Sequence, residues 1–191
     1  MKKLNQLKEL LNYYNIDGYI VPKNDEFFCE YTSDNKDKLK FISNFSGSYG
    51  FALILKNKNY LFVDGRYTLQ AENESSKLFK ILTIPNKLPS DVLKKKKLTI
   101  GFDPKLHTHK TLKIFFNKTN CKFLPINQNL IDKLWIKKKT KNPKKKFYVL
   151  PKNAIGKSCS LKIKELVNAL NKKKIDIQFI TASENIAWLL N

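Results

Sequence analysis

Apolar and polar residues follow two rhythms along the chain, and together these predict a mixed α/β protein. Over residues 4–14, apolar side chains recur every three or four positions, as in an amphipathic helix. Six apolar segments of strand length lie at 18–22, 50–56, 59–63, 80–83, 99–102 and 122–125. Shorter helical patterns lie at 67–74, 111–117 and 129–135. This order predicts a three-layer α/β domain around a mixed, about six-stranded sheet.

The second and third strands should form a hairpin. Only Asn57 and Lys58 separate them, and a two-residue connection brings successive strands together antiparallel.

The opening helix-and-strand pattern occurs twice. Residues 8–11 and 16–22 are matched in order by residues 164–167 and 175–180. The second copy predicts a helix that begins at Ser158 or Ser160 and a strand at 177–180, followed by a last segment capped by Ser183. We therefore expect one domain over 1–136, a Lys-rich linker over 137–153, and the truncated start of a second, similar domain over 154–191.

The positive charge admits two explanations. The formal net charge is +21, and lysine runs at 94–97 and 137–146 could contact nucleic-acid phosphates. However, 36 of the 37 basic residues are Lys and only Arg66 is Arg, which also fits a coding sequence biased toward A and T. Because proteins that grip nucleic acid favour the planar fork of Arg, nucleic acid is the less favoured partner.

Other sequence features favour a cytoplasmic protein. The apolar runs are far shorter than the ~18 residues of a membrane helix, and the basic start lacks a signal-peptide pattern. Cys29, Cys121 and Cys159 are odd in number and widely spaced, so they predict neither a disulfide framework nor a thiolate metal site.

The densest candidate chemistry lies in two loops. In the first, Gly47 and Gly50 flank a polar segment just before a strand. For these two glycines, turn formation without a direct functional role is the favoured explanation. In the second, residues 64–67 read Asp-Gly-Arg-Tyr. Arg66 could clamp a carboxylate or carbonyl group, or it could pair with Asp64 and lock the turn, and the residues alone favour neither.

Several motifs occur in a fixed order along the chain: Ile-Val-Pro at 20–22, Glu-Tyr at 30–31, Phe-Ile-Ser at 41–43 with the glycines at 47 and 50, Asp-Gly-Arg-Tyr-Thr-Leu-Gln-Ala at 64–71, Gly-Phe-Asp-Pro at 101–104, Asn-Leu-Ile-Asp-Lys-Leu-Trp at 129–135, and the segment 181–191. Together they resemble the N-terminal region of three-domain Xaa-Pro aminopeptidases, the aminopeptidase P family. The resemblance implies two successive creatinase-type N-terminal domains, followed in the parent by a catalytic domain.

The resemblance also implies a function for the parent. The family removes an N-terminal residue that precedes proline, with water activated by two divalent metal ions, usually manganese, whose ligands lie in the catalytic domain. This chain would be a noncatalytic portion that frames substrate access, with no catalytic or metal-binding residue of its own. By the same resemblance, Arg66 binds the peptide substrate, while Asp64, Gly65 and Tyr67 shape the loop, as do Gly47 and Gly50.

Partners follow from this hypothesis. A peptide is the partner of the intact parent, which could also be a homodimer, and a separate catalytic chain could bind this one. Exposed Trp188 and Leu189 would then make the chain aggregation-prone or dependent on a partner. The alternatives are a stand-alone interaction module and a Lys-rich nucleic-acid-binding protein.

The two histidines are the remaining candidates for chemistry. His107 and His109 are two residues apart and would point the same way on an extended backbone, so they could hold a metal ion. The favoured interpretation is a surface turn that leads into a helix, because no carboxylate cluster is nearby in the sequence.

Overall fold

The computed structural model describes residues 2–29, 31–75, 77–135 and 148–191. The chain divides into two compact units, one of residues 1–26 and 30–138 and the other of residues 27–29 and 139–191. Each unit is described by itself. Of the predicted linker at 137–153, residues 137–147 lie outside the described residues, as does the lysine run at 137–146.

The first unit contains six strands and six helices within its described residues. The strands are β1 Gly18–Pro22, β2 Gly50–Leu55, β3 Asn59–Asp64, β4 Phe79–Ile84, β5 Thr99–Phe102 and β6 Lys122–Pro125. The helices are α1 Lys2–Tyr13, α2 Lys38–Ser43, α3 Thr68–Glu74, α4 Pro89–Leu93, α5 His109–Phe116 and α6 Leu130–Leu134. Two short 3-10 turns lie at Gly65–Tyr67 and Pro104–Leu106. All six predicted strands are confirmed.

The strands form one mixed sheet in the order β4-β3-β2-β1-β5-β6. β2 pairs antiparallel with both β1 and β3, which confirms the predicted hairpin, and the other neighbours pair parallel. Five strands therefore end at the same edge of the sheet, where β2 begins. We call this edge the carboxyl edge.

Alternating side chains of the strands build a core on each face of the sheet. In β1, Tyr19 and Val21 pack on the face covered by α1, α2, α3 and α6. Ile20 points to the opposite face, where Leu93 of α4 and Phe116 of α5 close the second core. This period of two places apolar residues on both sides of a central strand, which explains why all five residues of β1 are buried.

Two helices of the first unit were not predicted. In α2, Asp37 is the N-cap and accepts a hydrogen bond from the Lys40 backbone N at 2.9 Å, and Asn44 ends the helix in the left-handed conformation with φ 65°. In α4, Pro89 occupies the first turn and Asp91 accepts from Leu88 N at 2.8 Å. Both helices are short, at 6 and 5 residues, so their apolar period is hard to detect in the sequence.

The second unit contains two helices among its described residues, α7 Cys159–Lys172 and α8 Ser183–Leu190. Ser158 caps α7, in agreement with one of the two predicted caps. Lys162 joins the helices, because its Nζ donates to Trp188 O and Asn191 Oδ1, each at 2.5 Å, and lies 4.4 Å from the Trp188 ring centroid. Trp188 nevertheless keeps 64% of its surface exposed.

Two predictions for the second unit were wrong. Residues 177–180 have no regular secondary structure, because a strand needs a hydrogen-bonded neighbour and the described residues of this unit supply none. Ser183 is the first residue of α8 rather than its cap. The cap is Ala182, which has no side-chain oxygen to accept a hydrogen bond from the first turn.

Candidate functional site

The Asp-Gly-Arg-Tyr turn lies at the carboxyl edge of the sheet. β3 ends at Asp64, and the 3-10 turn Gly65–Tyr67 leads directly into α3. Because Gly50 pairs with Val63, the loop of residues 44–49 that precedes β2 lies beside this turn. The structure therefore brings together the two loops that the sequence singled out. We call residues 44–50 and 64–67 the edge loops.

Asp64 and Arg66 form an ion pair within the turn. Asp64 Oδ1 accepts hydrogen bonds from the backbone N and from Nε of Arg66, each at 2.9 Å. These hydrogen bonds and the guanidinium charge hold the pKa of Asp64 below its usual range. The Arg66 side chain remains 73% exposed. Of the two roles considered for Arg66, the pairing with Asp64 is present, and it leaves most of the guanidinium surface accessible.

Tyr67 connects the two edge loops. Its hydroxyl lies 2.7 Å from Ser48 Oγ, and its ring packs edge-to-face on the buried Phe45 with the centroids 6.0 Å apart. The Arg66 guanidinium carbon lies 5.5 Å from the same ring centroid. The turn is thus anchored to residues 44–50 by both a polar and an apolar contact.

A hydrogen-bond network that the sequence did not suggest fixes the other side of the first loop. Glu74, at the end of α3, accepts from Ser46 N at 2.7 Å and from Ser46 Oγ at 2.7 and 2.9 Å. Gln70 Nε2 donates to both Ser46 Oγ and Glu74. Burial raises the pKa of Glu74, but the hydrogen bonds from Ser46 and Gln70 outweigh it, so the net pKa is lowered. In the sequence, only the i, i+4 spacing of Gln70 and Glu74 could have indicated this network, because side chains at that spacing lie side by side on a helix.

The three glycines of the edge loops differ in how much space surrounds them. A Cβ on Gly47 would lie 2.3 Å from Phe45 Cζ, and one on Gly50 would lie 2.7 Å from the Phe62 carbonyl oxygen. A Cβ on Gly65 would meet Thr83 Cγ2 at 3.6 Å, which is an ordinary contact. Close packing thus requires glycine at 47 and 50, whereas space alone does not require it at 65.

The two histidines do not converge on a common site. His107 ends the second 3-10 turn, and its ring packs edge-to-face on Phe102 with the centroids 5.8 Å apart. Burial lowers the pKa of His107 to about 4. His109 is the exposed first residue of α5. Across the residues that the structure describes, no group of three or more His, Cys, Asp or Glu side chains could hold a metal ion, so these residues do not fit a dinuclear centre.

These observations define the class: a three-layer α/β domain with a mixed six-stranded sheet and a hydrogen-bonded pair of loops at its carboxyl edge. Two family models, each described as Creatinase/Prolidase N-terminal domain, match residues 3–134 and 138–191. The chain belongs to the creatinase/prolidase N-terminal domain family, which confirms the resemblance noted in the sequence.

Relatives with assigned names agree with this family. The chain is 34% identical over 200 residues to a Pyricularia oryzae protein called "Probable Xaa-Pro aminopeptidase P", with 99% of this chain and 32% of that protein covered. A Coprinopsis cinerea protein of the same name is 31% identical over 200 residues, with 100% and 32% covered. The chain therefore spans about a third of the length of these relatives and corresponds to an N-terminal part of them.

A solved structure extends the similarity to the fold. The X-prolyl aminopeptidase of Caenorhabditis elegans, described as a cytosolic enzyme with a di-nuclear active site, superposes with a TM-score of 0.76 at 25% identity. The match covers 98% of this chain and 34% of that one. Separately, none of the helices in the described ranges has the length and apolar character needed to cross a membrane.

Proposed function

We propose that this chain is the noncatalytic N-terminal portion of a cytoplasmic Xaa-Pro aminopeptidase-like metallopeptidase. The parent would release the N-terminal residue of peptides that have proline second, with two divalent metal ions, manganese by the family resemblance, bound in its catalytic domain. The relatives' names and the match to their N-terminal part carry this proposal. The domain limits 1–136, 137–153 and 154–191 belong to the same proposal.

Within that parent, the edge loops would frame substrate access and Arg66 would contact the peptide. A guanidinium on a rigid turn is suited to a peptide carbonyl or carboxylate, because its planar fork donates two parallel hydrogen bonds. The side chain is 73% exposed and its base is fixed by Asp64 and Tyr67. Asp64, Gly65, Tyr67, Gly47 and Gly50 would shape the loops that hold it.

A turnover assay tests the noncatalytic role. The 191-residue chain, incubated with an Xaa-Pro tripeptide and Mn²⁺, should release no free amino acid above the blank. The described residues offer no cluster able to bind the two metal ions of such a reaction. Metal-dependent release of the first residue by the purified chain would refute the proposal.

A binding titration tests Arg66. We expect the same tripeptide to perturb the NMR resonances of Arg66 and Tyr67, and expect Arg66→Lys to weaken binding by about tenfold through loss of a bidentate charged contact. Lys58→Ala is a matched control, because Lys58 lies in the β2–β3 connection at the opposite edge of the sheet. If the unsubstituted chain and Arg66→Lys bind the tripeptide with equal affinity, Arg66 does not contact the peptide.

A further inference from the structure

The carboxyl edge also contains a crevice between β1 and β5, where the connections that follow these two strands run in opposite directions. β1 and β5 are parallel neighbours, yet the chain leaves β1 toward β2 on one side and leaves β5 toward β6 on the other. Such a switch of direction opens a crevice beyond the carboxyl ends of the two strands, where α/β proteins commonly bind ligands. β2 lies between β3 and β1, so at about 4.8 Å per strand the crevice between β1 and β5 is about 12 Å from β3, where the Arg66 turn begins.

A cavity of about 340 Å³ occupies this crevice. Its lining comes from the segments that follow β1, β5 and β6. It includes Lys38, Lys105, Asn127 and Gln128, together with the carboxylates of Glu26, Asp103 and Asp132. Since a water molecule takes up about 30 Å³ of liquid, the cavity has room for roughly eleven waters, and thus for a small organic molecule rather than a single inorganic ion.

Hydrogen bonds between the segments hold the cavity walls in place. Asn24 Nδ2, after β1, donates to Leu106 O, after β5, at 3.0 Å. Asn129 Nδ2, before α6, donates to Asp103 Oδ2 at 2.8 Å, while its own Oδ1 accepts from Ile131 N at 2.9 Å. Each wall is tied to a neighbour, so the cavity is built into the fold and does not depend on one mobile loop.

The charges of the lining are unequally satisfied. Asp103 uses both carboxylate oxygens internally, because Oδ1 also accepts from Lys105 N at 2.9 Å. Lys36 pairs with Glu26 at 2.5 Å. Lys38, in contrast, has a side chain only 7% exposed, and in the described part of the chain its Nζ has one ion-pair partner, Asp132 at 3.5 Å, and makes no hydrogen bond. The ammonium group at the end of this nearly buried side chain therefore has no hydrogen-bond acceptor among the described residues.

The lining carboxylates already have partners, because Glu26 pairs with Lys36, Asp103 accepts from Asn129 and Asp132 pairs with Lys38. An anionic ligand group would therefore meet the ammonium groups of Lys38 and Lys105, and a carboxylate would supply hydrogen-bond acceptors to Lys38. Lys105, which lines the same cavity and is exposed, can add a second cation. The exposed carboxamides of Asn127 and Gln128 offer both donors and acceptors, which suit an amide group.

We propose that the cavity between the carboxyl ends of β1 and β5 binds a small organic carboxylate that also carries an amide, as an acylated amino acid or a short peptide does. Lys38 and Lys105 hold the carboxylate, and Asn127 and Gln128 hold the amide. This site does not depend on the role proposed for Arg66.

Isothermal titration of the full chain with N-acetylalanine tests the proposal. Saturable binding to one site is expected, with no binding of N-acetylalanine amide, which has a neutral carboxamide in place of the carboxylate. Inorganic phosphate should bind more weakly, because it fills little of the cavity and has no amide. Equal affinity for the acid and its amide, equal or tighter binding of phosphate, or no saturable binding at millimolar concentration would each overturn the proposal.

Variants place the binding in the cavity. Lys105→Ala removes an exposed cation without disturbing the core and should weaken binding by about tenfold, the loss expected for one charged hydrogen bond. Lys38→Met should abolish binding, with circular dichroism to confirm that the variant folds. Lys110→Ala, an exposed lysine on α5 that does not line this cavity, is the matched control and should bind as the original chain does. Unchanged affinity in Lys105→Ala would exclude this cavity as the site.

Discussion

Glu74 holds Ser46 with both of its carboxylate oxygens, across 28 residues of sequence. Oε2 accepts from the backbone N of Ser46 at 2.7 Å, and Oε1 accepts from its hydroxyl at 2.7 Å. The end of α3 is thereby fixed to the loop that precedes β2. Since the Arg66 turn leads into the same helix, this pair of residues couples the two edge loops mechanically.

Replacing Glu74 should loosen the first edge loop. Three donors converge on the carboxylate, from Ser46 N, Ser46 Oγ and Gln70 Nε2, whereas a carboxamide offers one acceptor oxygen. In Glu74→Gln we expect amide hydrogen exchange at Ser46 to accelerate on the order of tenfold, the factor for one lost charged hydrogen bond. Glu72→Gln, an exposed position on α3, serves as the control. Equal exchange rates in the two variants would contradict the proposed coupling.

Removing one partner of the buried ion pair of Lys23 and Asp37 should be strongly destabilising. The two side chains are only 10% and 4% exposed, and Asp37 also caps α2. Lys23→Met leaves a buried carboxylate without its ammonium and should lower the free energy of unfolding by about 3–5 kcal/mol, measured by urea denaturation.

Two comparisons check the cause of that loss. Adding Asp37→Asn to Lys23→Met removes the stranded charge while keeping a cap, so part of the stability should return. Lys40→Met, which breaks an exposed pair with Asp34, should leave the denaturation midpoint unchanged. A loss in Lys40→Met as large as in Lys23→Met would mean that lysine removal in general, rather than burial of the pair, sets the effect.

Much of the fold could be predicted from the sequence because its strands are short apolar segments bounded by polar residues. The segment Ile20–Pro22, for example, follows a turn and is apolar on both faces, as a central strand must be. The strand expected at 177–180 was wrong for a related reason. Its apolar pattern is genuine, but a strand exists only when a neighbour accepts and donates its backbone hydrogen bonds.

The candidate site was harder to predict because its contacts join distant residues. The Asp-Gly-Arg-Tyr motif indicated a turn, and the pair Asp64–Arg66 is local enough to infer. Two features of the site depend on which segments lie together at the carboxyl edge. They are the contact of Ser46 with Glu74 and the position of the Lys38 ammonium group in the cavity lining. The spacing of residues in the sequence does not show which segments lie together until the strand order is known.

The glycines at 47 and 65 should respond differently to the same substitution. Gly47→Ala places a methyl group 2.3 Å from Phe45 Cζ, and that ring is fully buried and cannot move aside. We expect a loss of about 1–3 kcal/mol in unfolding free energy, as for other overpacked sites. Gly65→Ala meets Thr83 at 3.6 Å and should change stability by less than about 0.5 kcal/mol. Thermal denaturation distinguishes the two, and equal losses would show that backbone freedom, not space, requires these glycines.

His107 should make the stability of the first unit depend on pH. Burial lowers its pKa from 6.5 to about 4, so the folded state holds the ring neutral while the unfolded chain binds a proton. The unfolded state therefore binds more protons between these values. The stability contributed by the neutral ring is fully present above pH 6.5 and is lost as the pH falls toward 4, by up to about 3 kcal/mol.

A variant without a titratable ring isolates this contribution. Asp103 interacts electrostatically with His107, so the informative quantity is the difference in unfolding free energy between the original chain and His107→Phe. That difference should shift in favour of the variant as the pH falls from 6.5 to 4, because Phe keeps the edge-to-face packing on Phe102 and binds no proton. His109→Asn, at an exposed position, should retain the original pH slope. If the difference in unfolding free energy between His107→Phe and the original chain is constant across this pH range, His107 binds protons equally in the folded and unfolded states, and burial does not lower its pKa.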